Sequence, residues 1–212
     1  MRKAPKTEEV LIDGPAGRLE GLFERPAYGA TTGVALVCHP HPVQGGTLQN
    51  KVTHTLARAF QTCGFATLRF NFRGVGESEG EFDEGAGELE DAVAATGWIR
   101  DRRREPALWL AGFSFGAAIA VKAASRVSAD GLVSVAPAIT RVAGDAGLQP
   151  TCPWLVVQGE DDELVDPEET IAWVNGLEPG PELLLFPGTG HFFHGKLVPL
   201  REAVVDFVSR YR

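Results

Sequence analysis

A short segment around Ser114 has the residue types that nucleophilic catalysis needs. The sequence Gly112-Phe113-Ser114-Phe115-Gly116 follows the apolar run Leu108–Ala111 and precedes the helix-forming run Ala117–Val121. A serine flanked by two glycines on a sharp turn from strand to helix is typical of a nucleophile elbow, because the glycines leave room where a Cβ would clash. The helix N-terminus also adds partial positive charge near a developing oxyanion. The pattern therefore predicts that Ser114 is a catalytic nucleophile.

A serine hydroxyl is a weak nucleophile, so an imidazole must accept its proton and an acid must orient that imidazole. The five histidines are His39, His41, His54, His191 and His194. His54 falls in a predicted helix, where a structural role is expected, and His191 ends a glycine-rich segment after the last predicted strand. Asp161, Asp162 and Asp166 follow another predicted strand, and Asp166 precedes Pro167 as a helix N-cap would. These residue types leave several pairs of base and acid open.

The elements that must position these residues alternate between strands and helices. An opening hairpin is predicted at Val10–Ile12 and Leu19–Phe23. The later predicted strands are 34–38, 65–72, 108–113, 132–136, 154–157 and 183–186, and the predicted helices are 49–63, 84–104, 115–127, 167–177 and 197–211. Continuous apolar strands between helices indicate a mostly parallel sheet covered on both faces. We therefore expect one α/β domain over residues 1–212, with its chemistry in the loops beyond the carboxyl ends of the strands.

The elbow and the strand–helix alternation resemble the α/β-hydrolase superfamily over essentially the whole chain. The closer likeness is to small lidless bacterial serine hydrolases related to dienelactone hydrolases, and it is carried by the segments 38–46, 71–78 and 190–195. This resemblance implies an eight-stranded sheet with an antiparallel opening hairpin and no cap domain. Dienelactone hydrolases use a cysteine nucleophile, whereas Ser114 stands at this elbow, so that specific activity does not carry over.

The resemblance also selects among the candidates for the base and the acid. The superfamily order of nucleophile, acid and histidine leaves His191 and His194, and the glycine before His191 matches the usual Gly-His pair. The pattern G-x-x-D-x-x-V aligns Gly159, Asp162 and Val165. The implied catalytic residues are therefore Ser114, Asp162 and His191, with His194, Asp161 and Asp166 as the alternatives.

Two backbone N–H groups are expected to bind the oxyanion. One belongs to the residue after the nucleophile, Phe115. In the loop after Cys38, Pro40 and Pro42 lack an N–H, which limits the early donors to His39, His41 and Val43. By resemblance, His39-Pro40 replaces a His-Gly pair, which places the second donor at His41.

Two competing interpretations concern other ligands. His39 and His41 are potential zinc ligands, but no acid or cysteine cluster with ligand spacing accompanies them, so we expect no metal and no cofactor. Gly74-Val75-Gly76 is similar to a phosphate loop but lacks the third glycine and the downstream acid of a dinucleotide site. We predict a structural turn there, in which Arg73 and Ser78 connect loops.

The composition excludes several classes of protein. The formal net charge of −8 argues against a general nucleic-acid binder, and 44% hydrophobic residues with 23% charged residues indicate a globular chain. No apolar run is long enough for a membrane span, and no signal peptide is predicted. Three cysteines without paired spacing favour small buried residues in a reducing compartment, so we predict a cytoplasmic protein.

These features together predict a serine hydrolase that cleaves small carboxylic esters. The alternatives are a thioesterase or peptidase with the same triad, or a catalytically silent interaction protein with a hydrolase fold. The interval 137–153 is too short for a helical cap, so we expect an open site with phenylalanine walls from Phe82, Phe113, Phe115, Phe192 and Phe193. The alternative is that the elbow phenylalanines are ordinary core residues, which we expect for Phe113. Residues 77–91 and 160–169 hold fifteen of the 28 acidic residues and no Lys or Arg, which favours neutral or cationic esters over polyanionic ones. The oligomeric state is left open.

Overall fold

The strands form one twisted layer that carries the loops of the site. The computed structural model describes residues 7–27, 31–102, 107–141 and 149–211. Within those ranges the strands are β1 Thr7–Gly14, β2 Gly17–Glu24, β3 Gly33–Cys38, β4 Phe65–Phe70, β5 Ala107–Phe113, β6 Gly131–Val135, β7 Trp154–Gly159 and β8 Glu182–Phe186. They pair in the order β1-β2-β4-β3-β5-β6-β7-β8. β1 and β2 are antiparallel to each other, β2 is antiparallel to β4, and all later pairs are parallel. The predicted eight-stranded sheet with an opening hairpin is confirmed.

Helices cover both faces of this sheet, as predicted. They are α1 Lys51–Thr62, α2 Ala86–Arg102, α3 Phe115–Val127, α4 Pro167–Asn175 and α5 Leu197–Tyr211. Alternate residues of β3 enter two separate cores: Val34, Leu36 and Cys38 pack with α2 and α3, while Ala35 and Val37 pack with α1 and α5. The apolar run of β3 is continuous because both faces of the strand are buried.

Two predicted helix starts differ slightly from the structure. α2 begins at Ala86 and not at residue 84, because Glu84 and Gly85 both have positive φ angles and the buried Glu88 carboxylate accepts hydrogen bonds from Asp83 N and Gly85 N. α1 begins after Asn50, whose side chain accepts hydrogen bonds from the first turn of the helix. The predicted end of α2 at residue 104 lies outside the described residues.

Buried ion pairs fix the segment that follows β4. Asp91 of α2 accepts hydrogen bonds from Arg73 N and from the Arg73 guanidinium at 2.7 and 3.0 Å. The Ser78 hydroxyl donates to Asn71 O and accepts from Glu20 N. Gly74-Val75-Gly76 is thus part of a turn held by Arg73 and Ser78, as the sequence predicts. Such a bidentate buried pair positions the loop firmly, because leaving either charge unpaired would be strongly destabilising.

Among the described residues, no helix combines the length and the apolar character needed to cross a membrane. Cys38 and Cys63 are buried and Cys152 is half-buried. In the described parts of the interval 137–153, a short 3-10 helix at Ile139–Arg141 follows β6. Within the described parts of this interval, residues 137–141 and 149–153, there is no α-helix.

Candidate active site

Ser114 lies on a strained turn between β5 and α3. Its backbone has φ 55° and ψ −118°, a conformation that non-glycine residues rarely adopt and that is found preferentially at functional sites. A Cβ on Gly112 would come within 2.2 Å of Gly116 O, and one on Gly116 would come within 2.3 Å of His39 O. Ser114 N donates to Val135 O at 2.9 Å, which attaches the turn to β6. The two glycines of the elbow are therefore required by close backbone packing.

The three residues selected for catalysis are brought together at the carboxyl ends of β5, β7 and β8. Ser114 Oγ lies 3.0 Å from His191 Nε2, and His191 Nδ1 lies 2.9 Å from Asp162 Oδ2 and 3.1 Å from Oδ1. An ionised carboxylate can only accept hydrogen bonds, so Nδ1 carries the imidazole proton and Nε2 has the free lone pair. This tautomer allows His191 to accept the Ser114 proton.

Asp162 is held by three further donors. Its Oδ1 accepts from Leu164 N at 2.9 Å and Val165 N at 2.8 Å, and its Oδ2 accepts from Gln158 Nε2 at 3.0 Å. Burial alone would raise the pKa of Asp162, but the hydrogen bonds from His191, Val165 and Leu164 outweigh it and lower that pKa. The carboxylate is consequently ionised at neutral pH and fixed in orientation.

The loop that carries His191 docks against the loop that carries Asp162. The exposed Glu163 carboxylate accepts a hydrogen bond from His191 N at 3.1 Å, and a Cβ on Gly190 would come within 2.8 Å of that carboxylate. Backbone N–H groups of Glu163 itself and of His191 lower the pKa of Glu163. On the inner side, the Phe113 ring lies 4.9 Å from the imidazole. The glycine before His191 therefore makes room for a carboxylate that the sequence alone did not single out.

The alternative candidates occupy other positions. His194 is exposed and stacks on Phe192, with the ring centroids 5.9 Å apart. Asp166 caps α4 by accepting from Glu168 N and Glu169 N, as its position before Pro167 predicts. Asp161 is exposed, and its backbone N–H donates to Thr189 O. The His191 ring nitrogens contact Asp162 and Ser114.

His39 is a buried structural residue at the start of the loop that leads to His41. Its Nδ1 donates to Pro40 O at 2.6 Å, and its Nε2 accepts from Phe72 N at 3.1 Å. Because both ring nitrogens already have backbone partners, His39 has no lone pair for zinc. Burial lowers the pKa of His39 to about 4, with the backbone hydrogen bond to Pro40 opposing the shift.

The rest of this loop is attached to β4 and to the turn after it. Leu48 N donates to Asn71 Oδ1 at 2.8 Å, and Leu48 O accepts from Arg69 at 2.8 Å. Arg69 is itself paired with the buried Glu24. The loop is thereby fixed at both ends, which suits a backbone that must present N–H groups in constant geometry.

A cleft of about 540 Å³ opens over Ser114 and His191. His41 and Phe115, the two expected oxyanion donors, both line it, and their rings pack 5.1 Å apart. Of the five phenylalanines expected in its walls, Phe115 and Phe192 line the cleft. Phe113 and Phe193 are fully buried in the core, and Phe82 packs behind His41. The expectation of phenylalanine walls is therefore wrong for Phe82 and Phe193, whereas Phe113 is a core residue, as the alternative expectation for it held.

Several acids of the two acidic segments have structural partners. In the segment 77–91, Glu88 and Asp91 are buried as described above, while Glu79 and Glu90 pair with Arg18 and Arg126. In the segment 160–169, Asp162 faces His191 and Asp166 caps α4. Glu160, Asp161 and Glu163 are exposed in the loop after β7, and the Glu163 carboxylate contacts the backbone of His191.

Replacing His39 by glutamine is expected to make the free energy of unfolding depend less on pH between about pH 6.5 and pH 4. The unfolded chain binds a proton on this histidine below about pH 6.5, whereas the folded protein does so only near pH 4. The free energy of unfolding therefore decreases by up to about 3 kcal/mol as the pH falls between these values. Glutamine offers an acceptor to Phe72 N and does not titrate. Urea unfolding across this pH range would measure the difference, with the exposed His194→Gln as control. An unchanged slope in His39→Gln would contradict the assignment.

Replacing Gln158 by leucine is expected to lower kcat about tenfold or more with little change in KM. The amide is fully buried and donates to Asp162 Oδ2 and to Val165 O, so its loss releases the carboxylate that orients His191. The matched control is Gln61→Leu, which removes a buried hydrogen bond to Thr67 far from the cleft. Kinetics and urea unfolding of both variants separate positioning from stability. Equal kcat values in the two variants would show that Gln158 has no positioning role.

Comparison with known proteins agrees with this architecture. The family described as serine aminopeptidase, S33, matches residues 41–148. The chain is 41% identical to an α/β serine hydrolase without a lid from Xanthomonas campestris, with a TM-score of 0.91 and coverage of 97% of this chain and 95% of that one. It is 46% identical to an α/β serine hydrolase homologue from Coxiella burnetii, with a TM-score of 0.89 and coverage of 94% and 96%.

A more distant structure relates the fold to dienelactone hydrolases. The dienelactone hydrolase of Anabaena variabilis is 21% identical, with a TM-score of 0.83 and 98% of each chain covered, a likeness that concerns the fold alone. The sequence-based identification of a lidless α/β serine hydrolase is confirmed, and its likeness to dienelactone hydrolases is one of fold. Together, the matched family and the two closer structures show that this chain belongs to the α/β serine hydrolases, in the family described as serine aminopeptidase, S33.

Proposed function

We propose that the protein hydrolyses small carboxylic esters through an acyl-enzyme formed on Ser114. The observation that carries this proposal is the continuous hydrogen-bonded chain from Ser114 Oγ through His191 to Asp162, opening on a cleft beside the N-terminus of α3. Nucleophile, base and orienting acid lie at the distances that acyl transfer requires. His191 acts as the base, and Asp162 fixes its tautomer.

In the acylation step, Ser114 Oγ forms a bond to the carbonyl carbon as His191 Nε2 takes the hydroxyl proton. The carbonyl oxygen becomes an oxyanion, which the N–H groups of Phe115 and His41 bind. Collapse of this intermediate breaks the bond to the alkoxide, and His191 returns the proton to that oxygen. The alcohol then leaves the cleft.

Deacylation repeats the sequence with water as the nucleophile. His191 takes a proton from the water, which attacks the acyl carbon, and then protonates Ser114 Oγ as the carboxylic acid forms. Asp162 stays ionised throughout and stabilises the imidazolium. The exposed acids of the loop that carries Asp162, Glu160, Asp161 and Glu163, favour neutral or cationic substrates over polyanionic ones.

Active-site labelling tests the proposal directly. We expect a fluorophosphonate probe to modify Ser114, to fail on Ser114→Ala, and to be displaced in competition by small neutral esters. Peptide and acyl-coenzyme A substrates in the same competition address the other reactions that this triad supports. A folded protein that the probe does not modify would indicate a silent interaction protein.

A further inference from the structure

Ser114 divides the cleft into two parts of different chemistry. In the sheet, β3 lies on one side of β5, while β6, β7 and β8 lie on the other. Because neighbouring strands are about 4.8 Å apart, the loop after β3 and the loops after β7 and β8 reach the cleft from opposite sides of the nucleophile. The first contributes Gln44 and Asn50, and the others contribute Leu164 and Phe192.

The part next to His191 is apolar. Leu164 is 61% exposed and Phe192 is 45% exposed, and both line the cleft. The Phe192 ring meets the His191 ring edge-on, with centroids 5.2 Å apart. Large apolar side chains held open to solvent beside a reactive group form a surface that a ligand can cover.

The part formed by the loop after β3 is polar and has little side-chain bulk. Gln44 is exposed. The side-chain oxygen Oδ1 of Asn50 accepts a hydrogen bond from Val52 N, which orients the side-chain amide of Asn50. Gly45 and Gly46 leave bare backbone between them, and a Cβ on Gly46 would come within 2.1 Å of Pro40 O. The N–H groups of Gly45 and Gly46 already donate to Pro42 O and His41 O, so this surface offers the side-chain amides of Gln44 and Asn50 for hydrogen bonding.

The chemistry of the proposed function assigns one half of the ester to each part. His191 Nε2 must protonate the leaving oxygen, so the alcohol portion lies beside His191. The oxyanion points to the N–H groups of Phe115 and His41. The remaining substituent of the tetrahedral carbon, the acyl chain, is directed away from His191 and towards Gln44 and Asn50.

We propose that the preferred substrates are esters of apolar alcohols whose acyl group is short and carries a hydrogen-bonding group. Leu164 and Phe192 bind the alcohol portion, and Gln44 and Asn50 bind the acyl portion. This specificity rests on the proposed ester hydrolysis at Ser114. The contribution of each part of the cleft to kcat/KM can therefore be measured separately, by varying the alcohol or the acyl group of the ester.

Two ester series test the assignment when kcat/KM is divided by the rate of hydroxide-catalysed hydrolysis of each ester. In acetates of methanol through butanol, each added methylene is expected to raise the normalised value about two- to fourfold. In methyl esters of acetate through pentanoate, the value is expected to stay level or fall. Methyl glycolate, which has a hydroxyl where methyl propanoate has a methyl, is expected to react roughly fivefold better than methyl propanoate.

Variants connect each preference to its residue. Leu164→Ala and Phe192→Ala should flatten the alcohol series, whereas Leu11→Ala, an equally exposed leucine on the edge strand β1, should leave it unchanged. Gln44→Leu should abolish the preference for glycolate. If the normalised kcat/KM rose with acyl length but not with alcohol length while Ser114 was labelled normally, the assignment of the two parts would be wrong and the proposed ester hydrolysis would stand. Turnover of every ester no faster than in Ser114→Ala would overturn the proposed function itself.

Discussion

Replacing Ser114 by alanine is expected to lower kcat for p-nitrophenyl acetate by about 10⁴-fold or more. The substitution removes the oxygen that lies 3.0 Å from His191 Nε2 and would form the bond to the acyl carbon. His191 and the backbone N–H groups persist, so the residual rate comes from water activated in the same cleft. A pre-steady-state burst of p-nitrophenolate is expected in the wild type and is expected to disappear in the variant.

The fold should tolerate this change. Alanine and serine meet the same steric restriction at φ 55°, and the turn is held by backbone contacts such as that of Ser114 N to Val135 O. We therefore expect the free energy of unfolding to change by less than about 1 kcal/mol. The exposed Ser209 on α5 supplies the control, Ser209→Ala, which should retain full activity. Activity of Ser114→Ala within tenfold of the wild type would place the nucleophile elsewhere.

The nucleophile and the sheet could be predicted from sequence because their signals are local. The elbow glycines, Gly112 and Gly116, lie close to Ser114 in the chain. A Cβ on Gly112 would clash within the same short turn, and a Cβ on Gly116 would clash with the backbone after β3. The strands could be read because burial on both faces makes each run continuously apolar. The start of α2 could not be predicted, because Glu84 has a positive φ although it is not a glycine.

The supporting residues could not be identified because their contacts depend on how the loops fold, and for His39 and Glu163 the partners are also distant in sequence. His39 interacts with Phe72, and Glu163 meets the backbone of His191 28 positions further on. Gln158 carries one available signal, a polar residue at the end of an otherwise apolar strand, yet its partner could be known only once the loop had folded back. Burial of Phe193 depends likewise on tertiary packing, whereas the sequence analysis placed this residue in the wall of the cleft.

Selection of Asp162 among neighbouring acids rested on resemblance, and its substitution by asparagine is expected to lower kcat by about 10⁴-fold. The contacts explain why. Leu164 N and Val165 N both donate to Oδ1, so an asparagine will keep its carbonyl oxygen there and turn its NH₂ group to the site of Oδ2. That NH₂ would face His191 Nδ1 and force it to accept. The imidazole proton would then lie on Nε2, where it blocks transfer from Ser114.

The same substitution changes how stability depends on pH. Because the folded pKa of Asp162 is lowered, its ionised form stabilises the fold above the unfolded pKa near 3.8, and this contribution is lost as the pH falls through the folded value. The difference in unfolding free energy between wild type and Asp162→Asn should therefore shrink in acid. Asp161→Asn, at the exposed neighbouring position, should preserve both kcat and the acid profile. Near-normal turnover in Asp162→Asn together with a loss in Asp161→Asn would transfer the orienting role to Asp161.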